Sequence, residues 1–260
     1  MLSQAMFSIY LEFSSVHYET SSGVILSSML VTSSDFWRGI RIKDKTVDAV
    51  PLARNIGALI DQHLSLEPQV RSVCKSSYYH LHNIGLIRKF LTPEATATLV
   101  HAFVTSKLDA LNALLFGLPQ QSVAPLQRVQ NAAARMIAGV GRYDHITPLH
   151  RDLHWLPVSS RIEYKILLLA YKCVKDLAPK YLKDVITLYK PTRSLRSVEG
   201  LLLKQPRSRL VTCGDRAFAC AAPRLWNNLP QNLRASKDVR VFKKDLKTFL
   251  FNQLDSSPSS

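Results

Sequence analysis

Paired carboxylates are missing from this chain. Its 19 Asp and Glu residues include no Asp-Asp dipeptide, no Asp-x-Asp and no Glu-x-Glu. Chemistry on phosphodiesters with two divalent cations needs acids clustered tightly enough to hold the ions about 4 Å apart. Here the acids fall singly. Several of them (Glu67, Glu94, Asp238) occupy first helical turns, where they complement the positive end of a helix macrodipole. A Gly-Lys-Ser/Thr phosphate loop and a Gly-x-Ser-x-Gly elbow are absent too. The sequence therefore offers no catalytic residues.

Cysteine is scarce. Cys74, Cys173, Cys213 and Cys220 lie far apart, and none forms a Cys-x-x-Cys pair. Cys74 and Cys173 fall on apolar helix stripes, where a free thiol behaves as a small hydrophobe. That usage fits a reducing, intracellular compartment, nucleus or cytoplasm. No apolar run approaches the length of a membrane span, so no membrane partner is expected. The first residues, MLSQAMFSIYLEF, lack a cationic stretch and are interrupted by Glu12, unlike a signal peptide. One metal-like spacing exists: His150 and His154, with His145 upstream. Arg151 beside them opposes a cation and the ligand count is short of the three or four that zinc takes, so no metal site and no cofactor are expected.

Positive charge is what the chain has in excess. Lys and Arg number 34 in 260 residues, a net charge of +15. Residues 1–150 carry 13 basic and 10 acidic side chains, and residues 151–260 carry 21 and 9. A surplus of +12 in the second part favours a polyanion such as RNA or DNA. Hydrophobic residues make up 47%, enough to fill a core.

Helical periodicity places those cations. Leu126, Val129, Ala133, Met136 and Ile137 form an apolar stripe, with Arg128, Asn131 and Arg135 on another face. Ile162, Ile166, Leu169, Ala170 and Cys173 repeat the pattern, with Arg161, Lys165 and Lys172 opposite. Between these helices stands a connector, His154-Trp155-Leu156-Pro157. Earlier in the chain, Ser65 as N-cap starts a helix that Gly85 ends or weakens. Its stripe is Val70, Val73, Cys74, Ser77 and Leu81, and Arg71, Lys75, Tyr78 and His82 share a second face. Thr92-Pro93-Glu94 opens another helix, expected to run through Leu115, with Asp109 and Asn112 as buried hydrogen-bonding residues. Later helices are expected from Thr147-Pro148 to near Trp155, from Pro179 to about Tyr189 and from Asp215 to Asn228, the last kinked or split by Pro223. The final one, from Ser236, buries Val239, Phe242, Leu246, Phe249 and Leu250 and exposes Arg240, Lys243, Lys244 and Lys247.

Strands are expected early, at Ile40–Ile42 and around Val47, then over Asn55–Asp61 with Gly57 allowing close backbone approach. A short hairpin about Gln205-Pro206 would join Leu201–Leu203 to Leu210-Val211. The fold class is mainly α (α+β).

The order and wording of several motifs resemble a known family. Asn55-Ile56-Gly57 through Asp61, Leu108-Asp109 with Asn112 and Gly117-Leu118-Pro119, and Val129-Gln130-Asn131-Ala132-Ala133 come first. His145-Ile146-Thr147-Pro148, His154-Trp155-Leu156-Pro157, Ser194-Leu195-Arg196-Ser197, Gly214-Asp215-Arg216-Ala217-Phe218 and Ala222-Pro223-Arg224-Leu225-Trp226-Asn227 follow. Over roughly residues 40–252 the chain resembles the region after the catalytic motifs in reverse transcriptases of non-LTR, LINE-type retrotransposons, the jockey-like branch above all. The resemblance implies an unmatched leader over 1–36 and a remnant of the palm with primer-grip-like strands over 37–64. It further implies a helical, thumb-like bundle over 65–142 and a basic C-terminal region over 143–260. In that family the thumb clamps the template–primer duplex, a role that suits the Arg71 and Arg128 faces. The family's metal-binding aspartates lie upstream of the matching region, so Mg would belong to a catalytic palm outside it. The expectation is a non-catalytic fragment that binds RNA or DNA. A truncated reading of a full-length RNA-directed DNA polymerase, and a protein-interaction scaffold, are the alternatives.

Overall fold

The computed structural model describes residues 40–42, 45–47, 50–55, 57–141, 143–189, 201–208 and 214–256. The leader over 1–36, the Ser194–Ser197 link, Leu210-Val211 and Cys213 lie outside the described residues. The protein is mainly helical, with two small antiparallel hairpins before the helices. Strand β1 (Ile40–Ile42) pairs antiparallel with β2 (Lys45–Val47), where the two early strands are expected. The second expectation is corrected: Asn55–Asp61 is not one strand. β3 (Leu52–Asn55) folds back on β4 (Ala58–Asp61), with Asn55 opposite Ala58. Gly57 takes φ 90° in the turn, and a Cβ built there would meet nothing within 4 Å. It serves the turn's left-handed backbone rather than a close approach.

Helix α1 (Glu67–Ile87) is entered differently from the expectation. Leu66, not Ser65, immediately precedes it, in the left-handed conformation at φ 57°. The Asp61 carboxylate accepts from the backbone N–H groups of Ser65 (3.0 Å) and Leu66 (2.7 Å). Burial works to raise this carboxyl, but the hydrogen bonds it accepts, those N–H groups first and the Ser65 side chain after them, together hold it below the usual carboxylate range. Gly85 does not end the helix. A Cβ there would make only an ordinary van der Waals contact, 3.8 Å from Cε of Met136 on α4 (Gln120–Ala138), so the α1–α4 packing does not require the glycine. Past its end, Arg88 donates to the carbonyls of Met136 (3.1 Å) and Ile137 (3.5 Å), satisfying the last turn of α4.

Helix α2 (Pro93–Val100) is capped as expected, with the Thr92 hydroxyl accepting from Ala95 N–H at 3.2 Å. It does not continue to Leu115. The winding widens to a π-helix over His101–Thr105, tightens again in α3 (Ser106–Asp109) and stops. Ala110 is extended, Leu111 is left-handed at φ 58°, and Asn112–Leu115 form a 3-10 turn whose residues are all buried. An unbroken helix would have left half of this leucine-rich run facing water. Helix α4 ends at Gly139, left-handed at φ 69°, the first of the two glycines, Gly139 and Gly141, at which the sequence lets it stop.

Next come α5 (Ile146–Asp152), α6 (Val158–Val174) and α7 (Lys180–Lys183). Helix α7 is shorter than expected. The chain turns extended instead, and Leu188 bridges antiparallel to Leu203. Helix α8 (Phe218–Asn227) contains Pro223 without splitting, and starts at Phe218 rather than Asp215. After α9 (Gln231–Arg234), helix α10 (Val239–Ser256) begins where the Asp238 carboxylate accepts from the N–H groups of Arg240 and Val241. Asp238 thus takes the capping role expected near Ser236.

The core is one continuous cluster. Val70, Leu81 and Ile84 of α1 meet Leu126, Val129 and Ala133 of α4. The cluster continues through the 111–116 turn to Ile162, Ile166 and Ala170 of α6, then to Phe218 and Trp226 of α8 and Phe242 of α10. Tyr171 stacks on Phe242 with ring centroids 4.1 Å apart. Its hydroxyl donates to the Ser236 carbonyl. Arg216 staples distant parts together: it donates to the carbonyls of Phe116 (3.1 Å) and Leu64 (3.2 Å).

Candidate nucleic-acid interface

The cationic residues singled out by periodicity divide into two groups. On α1, Arg71, Lys75, Tyr78 and His82 are all exposed, and they recur every three or four residues along one face. Arg71 pairs with Glu67 at 3.3 Å, but both side chains are more than half exposed, so the pair holds Arg71 weakly. Arg128, exposed on α4, belongs to the same surface. Burial pushes the Cys74 thiol of α1 up, and the Arg128 charge opposes that push across the α1–α4 seam. Four exposed residues of α1 and one exposed guanidinium of α4 thus stand on two helices packed against each other.

The stripe of α10 is also exposed. Arg240, Lys243, Lys244 and Lys247 face outward while Phe242, Leu246 and Leu250 are buried. Lys247 sits at the edge next to α6, where partial burial and then the Arg161 charge lower its ammonium.

The α6 and α4 cations behave otherwise, which corrects their reading as an open face. Arg161 Nη1 donates to both carboxylate oxygens of Asp109, at 2.8 and 2.7 Å, and its Nε donates to the Leu156 carbonyl at 3.0 Å. Its guanidinium lies 5.7 Å from the Trp155 ring, and its side chain is only 15% exposed. It is a structural joint between α3 and α6. Lys165 and Lys172 are half-buried on the same helix. Asn131 turns inward: its Oδ1 accepts from Gln127 Nε2 at 2.8 Å and lies 3.0 Å from His150 Nε2. Arg135 is half-buried and donates to the Asp144 carbonyl at 3.1 Å. In the hairpin, Asn55 is half-buried in β3, and Gly57 is exposed in its turn.

Beneath the interface, the connector is held by amides that the sequence pattern did not single out as contacts. Gln127 Oε1 accepts from Val158 N–H at 2.9 Å, giving α6 the N-terminal partner that Pro157 cannot provide. Gln130, fully buried, donates to the Leu156 carbonyl at 2.8 Å. Their signal was a polar strip (Gln127, Gln130, Asn131) on a helix whose neighbours are apolar. Asn112 is buried as expected, whereas Asp109 is only half-buried and ion-paired.

His150 is buried inside this network, its ring edge-on to Trp155 at 6.4 Å. Burial, and after it the Arg161 and Arg135 charges, lower its pKa from the ordinary 6.5, although a bond involving the Trp155 backbone opposes them. His145 and His154 are exposed, and His154 lies at φ 53° with Nδ1 3.2 Å from the Asp152 carbonyl. Among the described residues, no three His, Cys, Asp or Glu side chains are grouped to hold a metal ion. Among them, too, no helix is long and apolar enough to cross a membrane. Comparison with protein-family models, with curated proteins and with solved structures finds no match to this chain.

Proposed function

We propose that this chain is a thumb-and-C-terminal segment of a non-LTR retrotransposon reverse transcriptase that grips a nucleic-acid duplex and carries no catalytic group of its own. The observation that carries the reading is the exposure of Arg71, Lys75, Tyr78, His82 and Arg128 on two helices packed against each other. Cations spaced along one helical face match the repeat of backbone phosphates, and release of the counterions they displace supplies the affinity. The α10 stripe adds a second cationic face. Support also comes from the motif series. Three of its residues, Gly117, Pro119 and Pro157, fall at breaks between helices, whereas Pro148 and Pro223 lie within α5 and α8.

Binding to an RNA–DNA primer–template is expected to fall steeply with salt, the logarithm of affinity losing about 0.9 per phosphate neutralised for each tenfold rise in salt. Fluorescence anisotropy over a salt series reads this directly. A flat response, or no binding at low salt, contradicts the reading. Arg135 and Arg161 are unsuitable for charge reversal, because their guanidinium groups hold backbone carbonyls.

A further inference from the structure

The α1 patch does not end at Tyr78. One residue further, about 100° round the helix, Tyr79 is 64% exposed, and its ring meets His80 edge-on at 5.5 Å. His80 stacks in turn on Phe103 at 5.2 Å with an interplanar angle of 21°. Phe103 is itself 44% exposed and comes from the π-helix of His101–Thr105. A widened turn of this kind re-aims side chains relative to an unbroken α-helix, and such turns are frequent at functional sites. Three rings therefore form a ladder that runs round α1 away from its cationic face, with Lys75, four residues before Tyr79, at the near end.

Tyr79 and Phe103 forgo hydrophobic burial on either side of half-buried His80, and exposed rings beside a lysine suit a partner with both charge and flat apolar faces. Unpaired nucleobases on a phosphate backbone have both. Each base offers a π-face whatever its identity, while the phosphates meet Lys75, the exposed cation one turn before Tyr79. A duplex keeps its bases stacked on each other and offers no free faces to such a ladder.

We infer that Tyr79, His80 and Phe103 form a stacking platform for unpaired bases of single-stranded nucleic acid, adjoining the duplex-gripping face. The platform rests on the proposed nucleic-acid grip and adds that the bound substrate carries a single-stranded part. It is sequence-tolerant, since stacking does not read base edges.

The test compares a short oligothymidylate with an abasic oligonucleotide of the same length and charge, alongside a blunt duplex, each titrated into the full chain. The wild type is expected to prefer oligothymidylate over the abasic strand by roughly tenfold or more. In Tyr79→Ala and Phe103→Ala that preference disappears, with duplex affinity and salt slope unchanged, and Tyr79→Phe restores it. Equal binding of the two single strands by the wild type overturns the platform, and so does a preference that survives both alanine variants. Loss of duplex and single-strand binding together in the alanine variants also overturns it, because the rings then act only through the fold. If the wild type binds the duplex in a salt-dependent way while the single strands are not told apart, the platform fails and the duplex grip stands. If it binds none of the three at low salt, both fail.

Discussion

Two arginines on helical stripes have opposite fates. Arg71 stands in solvent beside Glu67, whereas Arg161 is spent on Asp109, on the Leu156 carbonyl and on the face of Trp155. Periodicity shows on which side of a helix a cation stands. It does not show that a carboxylate 52 residues away in sequence will arrive there. His150 supplies the sharpest consequence at this scale. Its Nε2 faces the Asn131 carbonyl oxygen from α4, and Arg135 of α4 and Arg161 of α6 surround it with positive charge. A base whose folded pKa lies below its unfolded 6.5 contributes stability that is present above 6.5 and lost as pH falls through the folded value. The melting temperature should therefore drop between about pH 7.5 and about pH 5. His150→Gln, which keeps an amide donor for Asn131, should flatten that part of the profile. An equally steep fall in the variant would assign the acid sensitivity elsewhere.

At the scale of elements, helix ends governed by neighbouring residues were legible, and those governed by distant ones were not. The Thr92 cap and the Gly139 terminator act within a few residues of themselves; the cap stands where the sequence puts it, and the terminator is one of the two glycines that the sequence offers. The start of α1 depends on Asp61 across the end of a hairpin, and the break after Asp109 depends on burying the 111–116 turn against α6. The same turn carries a second prediction. Gly117 has φ 70°, and a Cβ there would lie 2.5 Å from Cγ of Arg216. Gly117→Ala should both strain the backbone and dislodge the Arg216 staple, at a cost of order 1–3 kcal/mol in chemical denaturation. A neutral effect would mean that the staple and the turn adjust independently.

At the scale of the molecule, one core joins what the motif series divides into a thumb-like part and a C-terminal part. Tyr171, Trp226 and Phe242 lie in the same cluster as Val70 and Leu126. Trp226 is fully buried, and its Nε1 donates to the Leu201 carbonyl at 2.7 Å. Trp226→Ala should cost about 3–5 kcal/mol. Because the core is shared, hydrogen exchange should quicken in α1 and α4 as well as around α8; acceleration confined to α8 and α10 would show two separate folding units. The mainly helical class was visible in the sequence because apolar spacing reports it directly. The exposed Tyr79–His80–Phe103 ladder was not, since it depends on a π-turn bringing Phe103 beside α1. What remains central is the grip on a polyanion by α1 and α4. The most direct measurement is the salt dependence of primer–template binding for the wild type against the Lys75→Glu/Arg128→Glu double variant, two exposed side chains outside the buried networks. The account predicts weaker binding and a salt slope smaller by about 2, one for each phosphate that the variant no longer neutralises. An unchanged slope in a folded variant would contradict it.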